Sequence, residues 1–598
     1  MNKTAGRNSS NKWTLMFFFA GDNTLSPSMV SQLKAIKDAG YQKNTSVLVR
    51  FDPNESGTPT MIFDVNREQK KGIRKTRIGD GKNSFVRNLR EDEVNATHIE
   101  SRGVASRAIK AQMKAPEESD FIDADEALDT FLSFCRENHP AEHYMLFLVG
   151  HGMIVGSDAF LPDDRPDTAI SLKQLGTILD DFTKGIKGKG ALELVGMHSC
   201  SMSAVEVAYE LKGTANYLMA TEGTSFVGSW PYRQLLKKIF NTVESKKGEG
   251  SFNIPALLRP LINCCLHNST DFMFAGYSAD LCLCNLNTDI VKEIDAPMRM
   301  LTRALKAGLK TERGRELILL AHWEAQSYWQ ENYTDLYDFC HCLGRSCEAD
   351  VAKLKAKKTR GKEEQKPDEK IEPRESIIAA CKAMTDKLDP PKQPGKSEKL
   401  TATEKLKKSF ERLVVFFDFF GPTYQYSHGL SVYFPWSRPI DEGAGSVARR
   451  KTQNRLREDK DDSKQSKSVM EKYEKYAFTE ELDDDSWFSF LEDYFNSTRR
   501  KSREREDGID EEREGSSVVN RANTTASGEG LPGSDDKSNP RLARGKTSPA
   551  DSGGGTCGCG SIKNYPQVFS RSERVQKYLS GQKSARPSRR RGGRQSGW

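Results

Sequence analysis

Two short apolar runs, each ending in a reactive side chain, constrain this chain more than any other feature of its 598 residues. Residues 144–152 read YMLFLVGHG and residues 192–200 read LELVGMHSC. A continuous apolar run of this length, bounded by turn residues, is the pattern of a strand buried on both faces of a parallel sheet. The first run stops at His151-Gly152 and the second at Cys200. In open α/β sheets, ligands bind beyond the carboxyl ends of the strands. Neighbouring parallel strands would therefore deliver an imidazole and a thiol to one rim, the minimum set for nucleophilic acyl transfer. Either residue alone has a bland explanation, since free cysteine is usually inert packing and a lone histidine is usually structural. It is the pair, each member ending a buried strand, that points to chemistry.

The flanking segments fit an α/β chain. Residues 13–19 form a first apolar strand leading to the turn Gly21-Asp22-Asn23. Ser26-Pro27 opens a helix that stops at Gly40, with a capping residue and a proline in the expected places. Residues 45–52 read as the second buried strand, and 58–66 as a partner that pairs with it or extends the sheet. Residues 67–120 are basic and weakly periodic, a long excursion. Residues 124–140 are an amphipathic helix ended by Pro140, with Cys135 on its apolar face. Strand, helix and strand in this order give a right-handed crossover and a parallel sheet. A helix over 170–182 precedes the second key strand. After Cys200, residues 202–213 are expected to form a helix, whose free N–H groups would lower the thiol pKa.

At these residues a family resemblance emerges. An apolar block ending in His-Gly, then one ending in Cys, resembles the caspase-like cysteine peptidases. HSCSMSAVEVAYELKGTANYLMATEG at 198–223 and WPY at 230–232 resemble the segment around the clostripain nucleophile. WTLMFFFAGDNTL at 13–25, YTDLYDFC at 333–340 and GLSVYFP at 429–435 resemble other blocks of the clostripain family, in the same order. The resemblance implies an α/β, caspase-like three-layer sandwich with a mainly parallel central sheet over residues 13–290. A C-terminal helical and strand region over 291–497 would follow, with residues 412–420 and 429–436 as strands of a smaller α+β unit. Residues 1–12 and the Ser-, Gly- and Arg-rich stretch 498–598 are expected to be disordered.

The activity implied is a cysteine endopeptidase. Cys200 would be the nucleophile and His151 the general acid/base, working as a dyad. The backbone N–H groups of Gly152 and Cys200 would be the oxyanion donors. His198, Glu222 and Trp230 fall where the family binds substrate. Relatives carry Asp two residues before the cysteine, at the base of a pocket for Arg or Lys, and His198 stands there in this chain. A preference for basic P1 residues is therefore not carried over, and His198 could instead favour an acidic or polar P1 side chain. Glu222, the nearest remaining carboxylate, reads equally well as a solvated loop charge. The resemblance also implies a maturation cut between the His and Cys blocks, where Arg165 precedes Pro166 and several lysines follow. It raises calcium as a cofactor, with Asp163-Asp164 as contributors.

Bulk properties bound the alternatives. At 598 residues, two to four domains are expected. A charged fraction of 29% and a mean hydropathy of −0.67 are too polar for one compact globule. A net charge of +7 is modest for this length and no nucleic-acid motif accompanies it. No apolar stretch reaches the roughly 20 residues of a membrane span, so no membrane partner is expected. Nor does a signal peptide stand out, which leaves the cytoplasm as the default location and secretion open. Twelve scattered cysteines do not form a disulfide framework. Cys340, His341, Cys342 and Cys347 lack the paired spacing of a zinc site. The expected partner is a protein or peptide substrate, bound by a monomer. The competing reading is a catalytically inactive caspase-like binding or scaffold protein, for which the substituted His198 is the warning sign.

Overall fold

The computed structural model describes residues 11–54, 60–66, 96–98, 122–152, 159–244, 254–267, 278–329, 331–359, 370–389, 410–439 and 469–497. Of the stretches 1–12 and 498–598 expected to be disordered, residues 1–10 and 498–598 lie outside these residues, whereas Asn11 and Lys12 open a strand; nearly all of the 67–120 excursion also lies outside.

The buried runs pair as their composition demands. Five strands form a parallel centre: β1 (Asn11–Phe19), β2 (Thr45–Phe51), β5 (Ala141–Val149), β8 (Ala191–His198) and β9 (Tyr217–Ala220). On one side, β3 (Met61–Asp64) pairs antiparallel with β2, and β4 (Ala96–His98) with β3. On the other, β10 (Ala279–Asn285) pairs antiparallel with β9, and β13 (Val414–Phe420) with β10. The nine strands run in the order β13-β10-β9-β8-β5-β1-β2-β3-β4. Their alternating side chains separate two cores. Met16, Leu146, Leu148 and Met197 face the helices Ala124–Asn138 and Leu172–Ile186. Phe17, Met145, Phe147 and Leu194 face the helices Ser26–Lys37, Tyr232–Glu244 and Ile254–His267. This is the α/β three-layer sandwich expected of a caspase-like chain, with apolar side chains filling both faces of the sheet.

One local expectation changes. The sequence places residues 412–420 in a smaller unit, whereas the structure has β13 extend the main sheet, registering Phe420 against Ala279 and Phe417 against Cys282. Its first two residues are buried and the rest half-buried at the edge of the large sheet, where the helix Ile254–His267 packs on it. β6 (Phe160–Asp164) and β7 (Asp167–Ile170) form a separate antiparallel pair, and the smaller sheet contains β11 (Ser327–Tyr328), β12 (Tyr333–Asp335) and β14 (Ser431–Tyr433). It is stitched to the main body where Ser431 N–H donates to Ser203 carbonyl at 3.0 Å. The charged stretch after residue 350 continues the helix Leu336–Thr359, which packs on the helix Glu372–Leu388.

Candidate active site

Register brings His151 and Cys200 together. β5 and β8 are neighbours, with Val149 opposite His198. Two residues further along each strand lie His151 and Cys200, at the same carboxyl rim. The contact between the strand ends is tight. A Cβ at Gly152 would collide with the Cys200 carbonyl oxygen and approach Ser199 Cβ to 2.9 Å and Cys200 N to 3.0 Å. Only glycine allows the two backbones to lie this close. His151 is half-buried, and its carbonyl accepts the Leu161 N–H at 3.1 Å.

Cys200 is 1% exposed. Its sulfur accepts the Ser225 N–H at 3.4 Å and donates to the Ser225 carbonyl at 3.6 Å. The next residue, Ser201, has φ +57°, a left-handed conformation uncommon outside glycine. The helix expected at 202–213 is short: it runs Val205–Glu210. Ser201 to Ala204 therefore separate the thiol from the first helical turn. The dipole of so short and distant a helix is a weak lever on the sulfur, because that effect fades within a turn. The nearer polar partners are the backbone groups of Ser225, which sequence reasoning did not single out.

The three residues expected to bind substrate are buried. His198 is saturated: Nδ1 pairs with Tyr232 hydroxyl at 2.8 Å, and Nε2 with Phe226 carbonyl at 2.7 Å and Ser229 hydroxyl at 3.3 Å. Its ring stacks on Trp230 with centroids 4.6 Å apart and planes 7° from parallel. Burial lowers its pKa to about 3, although the Phe226 carbonyl pulls the other way. The imidazole is thus neutral, with both nitrogens engaged, and offers no cation to an acidic P1 residue. Trp230, 2% exposed, covers Gly196 and meets Phe147 edge to face. Glu222 is not a solvated loop charge, for its side chain is fully buried. Its Oε2 accepts from Gly429 N–H at 2.8 Å and Tyr328 hydroxyl at 3.1 Å, while Oε1 finds no hydrogen-bond partner among the described residues. Burial pushes its carboxyl well above the usual range, and Asp335 and Asp280 push it further.

A second carboxylate group stands on the opposite flank, past β1 and β2. Asp22, which the sequence marks only as part of a turn, is buried and takes Arg165 Nε at 3.1 and 3.0 Å and Nη2 at 2.5 Å. Asp52 pairs with Arg50 at 3.0 Å. Burial, then the Asp52 charge and contact with Asp22, raise the Asp163 pKa to about 9. These groups do not fit calcium. Arg165 engages both oxygens of Asp22, so that carboxylate is already paired with a cation and is a poor ligand for a second, hard one. Among the described residues, no cluster of three or more His, Cys, Asp or Glu could hold a metal ion, the Cys340–Cys347 group included. Again among the described residues, no helix is long and apolar enough to cross a membrane.

Sheet, strand-end histidine and strand-end cysteine together define the class: a chain with the architecture of the caspase-like cysteine peptidases. The model of the clostripain family matches residues 17–492, and the chain belongs to that family. Clostripain from Hathewaya histolytica is 26% identical over 270 residues, which are 42% of this chain and 45% of that protein. The match thus spans less than half the length of that curated relative. Among solved structures, an inactive zymogen C11 protease from Parabacteroides distasonis superimposes with a TM-score of 0.39 at 16% identity, over 76% of this chain and 97% of its own. A secreted C11 cysteine protease from Bacteroides thetaiotaomicron, solved with an irreversible peptide inhibitor, gives 0.38 at 13% identity, over 74% and 96%.

Proposed function

We propose that this chain is a cysteine endopeptidase that hydrolyses peptide bonds through a thioacyl intermediate on Cys200. The observation that carries the reading is the contact of the Gly152 backbone with the Cys200 peptide at register-matched ends of β5 and β8. His151 takes the thiol proton, and the sulfur attacks the scissile carbonyl carbon. The oxyanion that forms is held by the N–H groups of Gly152 and Cys200. The imidazolium then gives its proton to the departing amine as the C–N bond breaks, leaving a thioester. Water, deprotonated by His151, attacks the thioester, and the thiol is regenerated with release of the acid. Protein and peptide chains are the proposed substrates.

The sulfur is covered in this conformation, with the Ser225 backbone against it. His198 and Trp230 act from behind the site, as a stacked wall supporting β8, and Glu222 braces the segment leading to Ser225. A P1 preference for acidic residues is not supported, since the His198 ring is neutral and engaged. A mixed peptide library digested by wild type and by Cys200→Ala tests the proposal. Cleavage by wild type alone supports it, and equal cleavage by both refutes it. An inactive binding protein would give no cleavage and no labelling of Cys200 by a reactive acyl-peptide probe.

A further inference from the structure

The nucleophile is gripped by one strap of chain, and the strap is gripped by one carboxylate. Residues 221–225 leave β9 and run along the turn that carries Cys200. The Ser201 N–H donates to Gly223 carbonyl at 2.9 Å, and the Ser203 N–H to Thr221 carbonyl at 2.8 Å. Thr221 hydroxyl reaches the Ser199 carbonyl at 3.4 Å. Ser225 supplies the N–H that faces the sulfur. These contacts hold Ser201 in its left-handed conformation, which persists at a non-glycine residue only where the surroundings over-determine it.

From its far side, the strap is held by Asp280 at the start of β10. One oxygen accepts the Glu222 N–H at 2.7 Å and the other the Gly223 N–H at 3.0 Å. Hydrogen bonds from amides to a carboxylate are roughly twice as strong as neutral ones. Tyr424 hydroxyl accepts the next amide, Thr224 N–H, at 3.1 Å. Asp280 and Tyr424 both close on Gly223, where a Cβ would collide with the Tyr424 ring and come within 2.8 Å of the Asp280 carboxylate. Three consecutive strap amides are thus fixed by two side chains that lie outside the catalytic pair.

We infer that Asp280 is a positioning residue for the catalytic sulfur: by holding the amides of Glu222 and Gly223 it sets the strap that aims Cys200. The inference rests on the proposed role of Cys200 as nucleophile. Asp280 touches neither substrate nor reacting atoms, and its effect passes through the strap to the Ser225 N–H and the Ser201 turn. Misplacing a nucleophile by about 1 Å can cost roughly 100-fold in rate.

The groups facing Asp280 give the device a pH signature. Glu222 lies on the strap, Asp335 on β12 and Tyr424 past β13, with His428 beside Asp335 at 3.6 Å. Burial pushes the Asp280 carboxyl up to about 6, against the pull of the Glu222 and Gly223 amides and with a further push from Asp335. Below that pH the carboxylate gains a proton and its hold on two amides weakens.

The test compares wild type, Asp280→Asn and Cys200→Ala on a cleavable peptide, with active sites counted by the acyl-peptide probe. Asp280→Asn is expected to lower kcat per titrated site by about 10- to 100-fold with KM within about threefold. The ratio of wild-type to Asp280→Asn rates is expected to shrink as pH falls through about 6, because wild type loses the same carboxylate. This ratio cancels the titration of His151, which both proteins share. A merely structural residue would reduce the number of titratable sites and leave kcat per site unchanged, and that result overturns the inference. Should Asp280→Asn fail to fold, Tyr424→Phe removes the neighbouring strap contact with a smaller change. A kcat drop of about 3- to 10-fold there supports the strap's role, and an unchanged kcat overturns it. Hydrolysis surviving in Cys200→Ala would instead defeat the nucleophile assignment, whereas an inert Cys200→Ala beside a fully active Asp280→Asn defeats this inference alone.

Discussion

The two flanks of the seam between β5 and β8 bury carboxylates in opposite ways. Past β1 and β2, Asp22 and Asp52 are matched by guanidiniums, Arg165 and Arg50, the latter also lying 4.6 Å over the Phe18 ring. Past β9 and β10, Asp280 is held by two amides and Glu222 by an amide and a hydroxyl. In the first arrangement each partner is a guanidinium, which does not lose its proton near neutrality, although burial and the Asp52 charge push the neighbouring Asp163 up to about 9. The second responds to protons, because the favourable partner of each carboxylate is a dipole and the cost of burial is not cancelled.

The seam between the flanks gives the largest expected effect. Gly152→Ala places a methyl group into the Cys200 carbonyl, so the strand ends must separate. Loss of kcat/KM by at least about 100-fold is expected, from displaced oxyanion donors and a displaced imidazole, and steady-state hydrolysis checks it. Retained activity would mean that the flanks do not converge on this seam.

Next comes the buried aromatic wall behind the seam. His198→Ala strips the Tyr232 hydroxyl and Phe226 carbonyl of a partner and leaves a void against Trp230. A loss of about 2–4 kcal/mol in urea unfolding is expected. A change below about 0.5 kcal/mol would show that the ring is not the structural element its contacts indicate.

The charge-paired flank is then tested by Arg165→Met. Breaking a buried pair costs about 3–5 kcal/mol. The Arg165 side chain is 36% exposed, however, so screening by water reduces the expected loss to about 1–2 kcal/mol. This loss should diminish in high salt, where the wild-type pair is itself weakened. Salt independence would contradict an electrostatic role for the pair.

The smallest effects are slopes of stability with pH, and they should have opposite signs. His198 has a folded pKa near 3, below its unfolded value. The folded chain therefore binds fewer protons, and stability falls as pH drops from about 6.5 toward 3. Asp280 is raised to about 6, so the folded chain binds more protons and stability falls as pH rises from about 4 to 6. Thermal midpoints between pH 4 and 7 should show the second slope reduced in Asp280→Asn and the first reduced in His198→Ala. Identical slopes in all three proteins would show that neither His198 nor Asp280 titrates differently in the folded and unfolded chain.

Much of this arrangement can be read from the chain itself, and the limits have physical causes. The strands bearing His151 and Cys200 are continuous apolar runs, and their neighbourhood follows from the parallel crossover rule. Phe17, Met145 and Leu194 facing one layer, with Met16, Leu146 and Met197 facing the other, is the two-fold alternation that any buried strand must show. β13 was misassigned because an edge strand paired over a separation of more than a hundred residues leaves no local mark. The roles of Asp280 and Ser225 were equally hidden. The first is an acid at the start of a strand whose partners are main-chain amides, and the second contributes backbone only. Glu222 looked like a loop charge because it follows a strand, and only the Tyr328 and Gly429 contacts, about 100 and 200 residues away, bury it. Asp22 offered a turn signal and nothing more, since its Arg165 partner lies 143 positions further on.

The most direct measurement is covalent labelling of the intact chain with a reactive acyl-peptide probe, followed by peptide mapping, in wild type, Cys200→Ala and His151→Ala. The probe should attach to Cys200 in wild type, react at least about 100-fold more slowly in His151→Ala, and leave Cys200→Ala unmodified at every cysteine. Equal labelling of all three proteins, or modification of another cysteine in wild type, would contradict the assignment of Cys200 and His151 as the reacting pair.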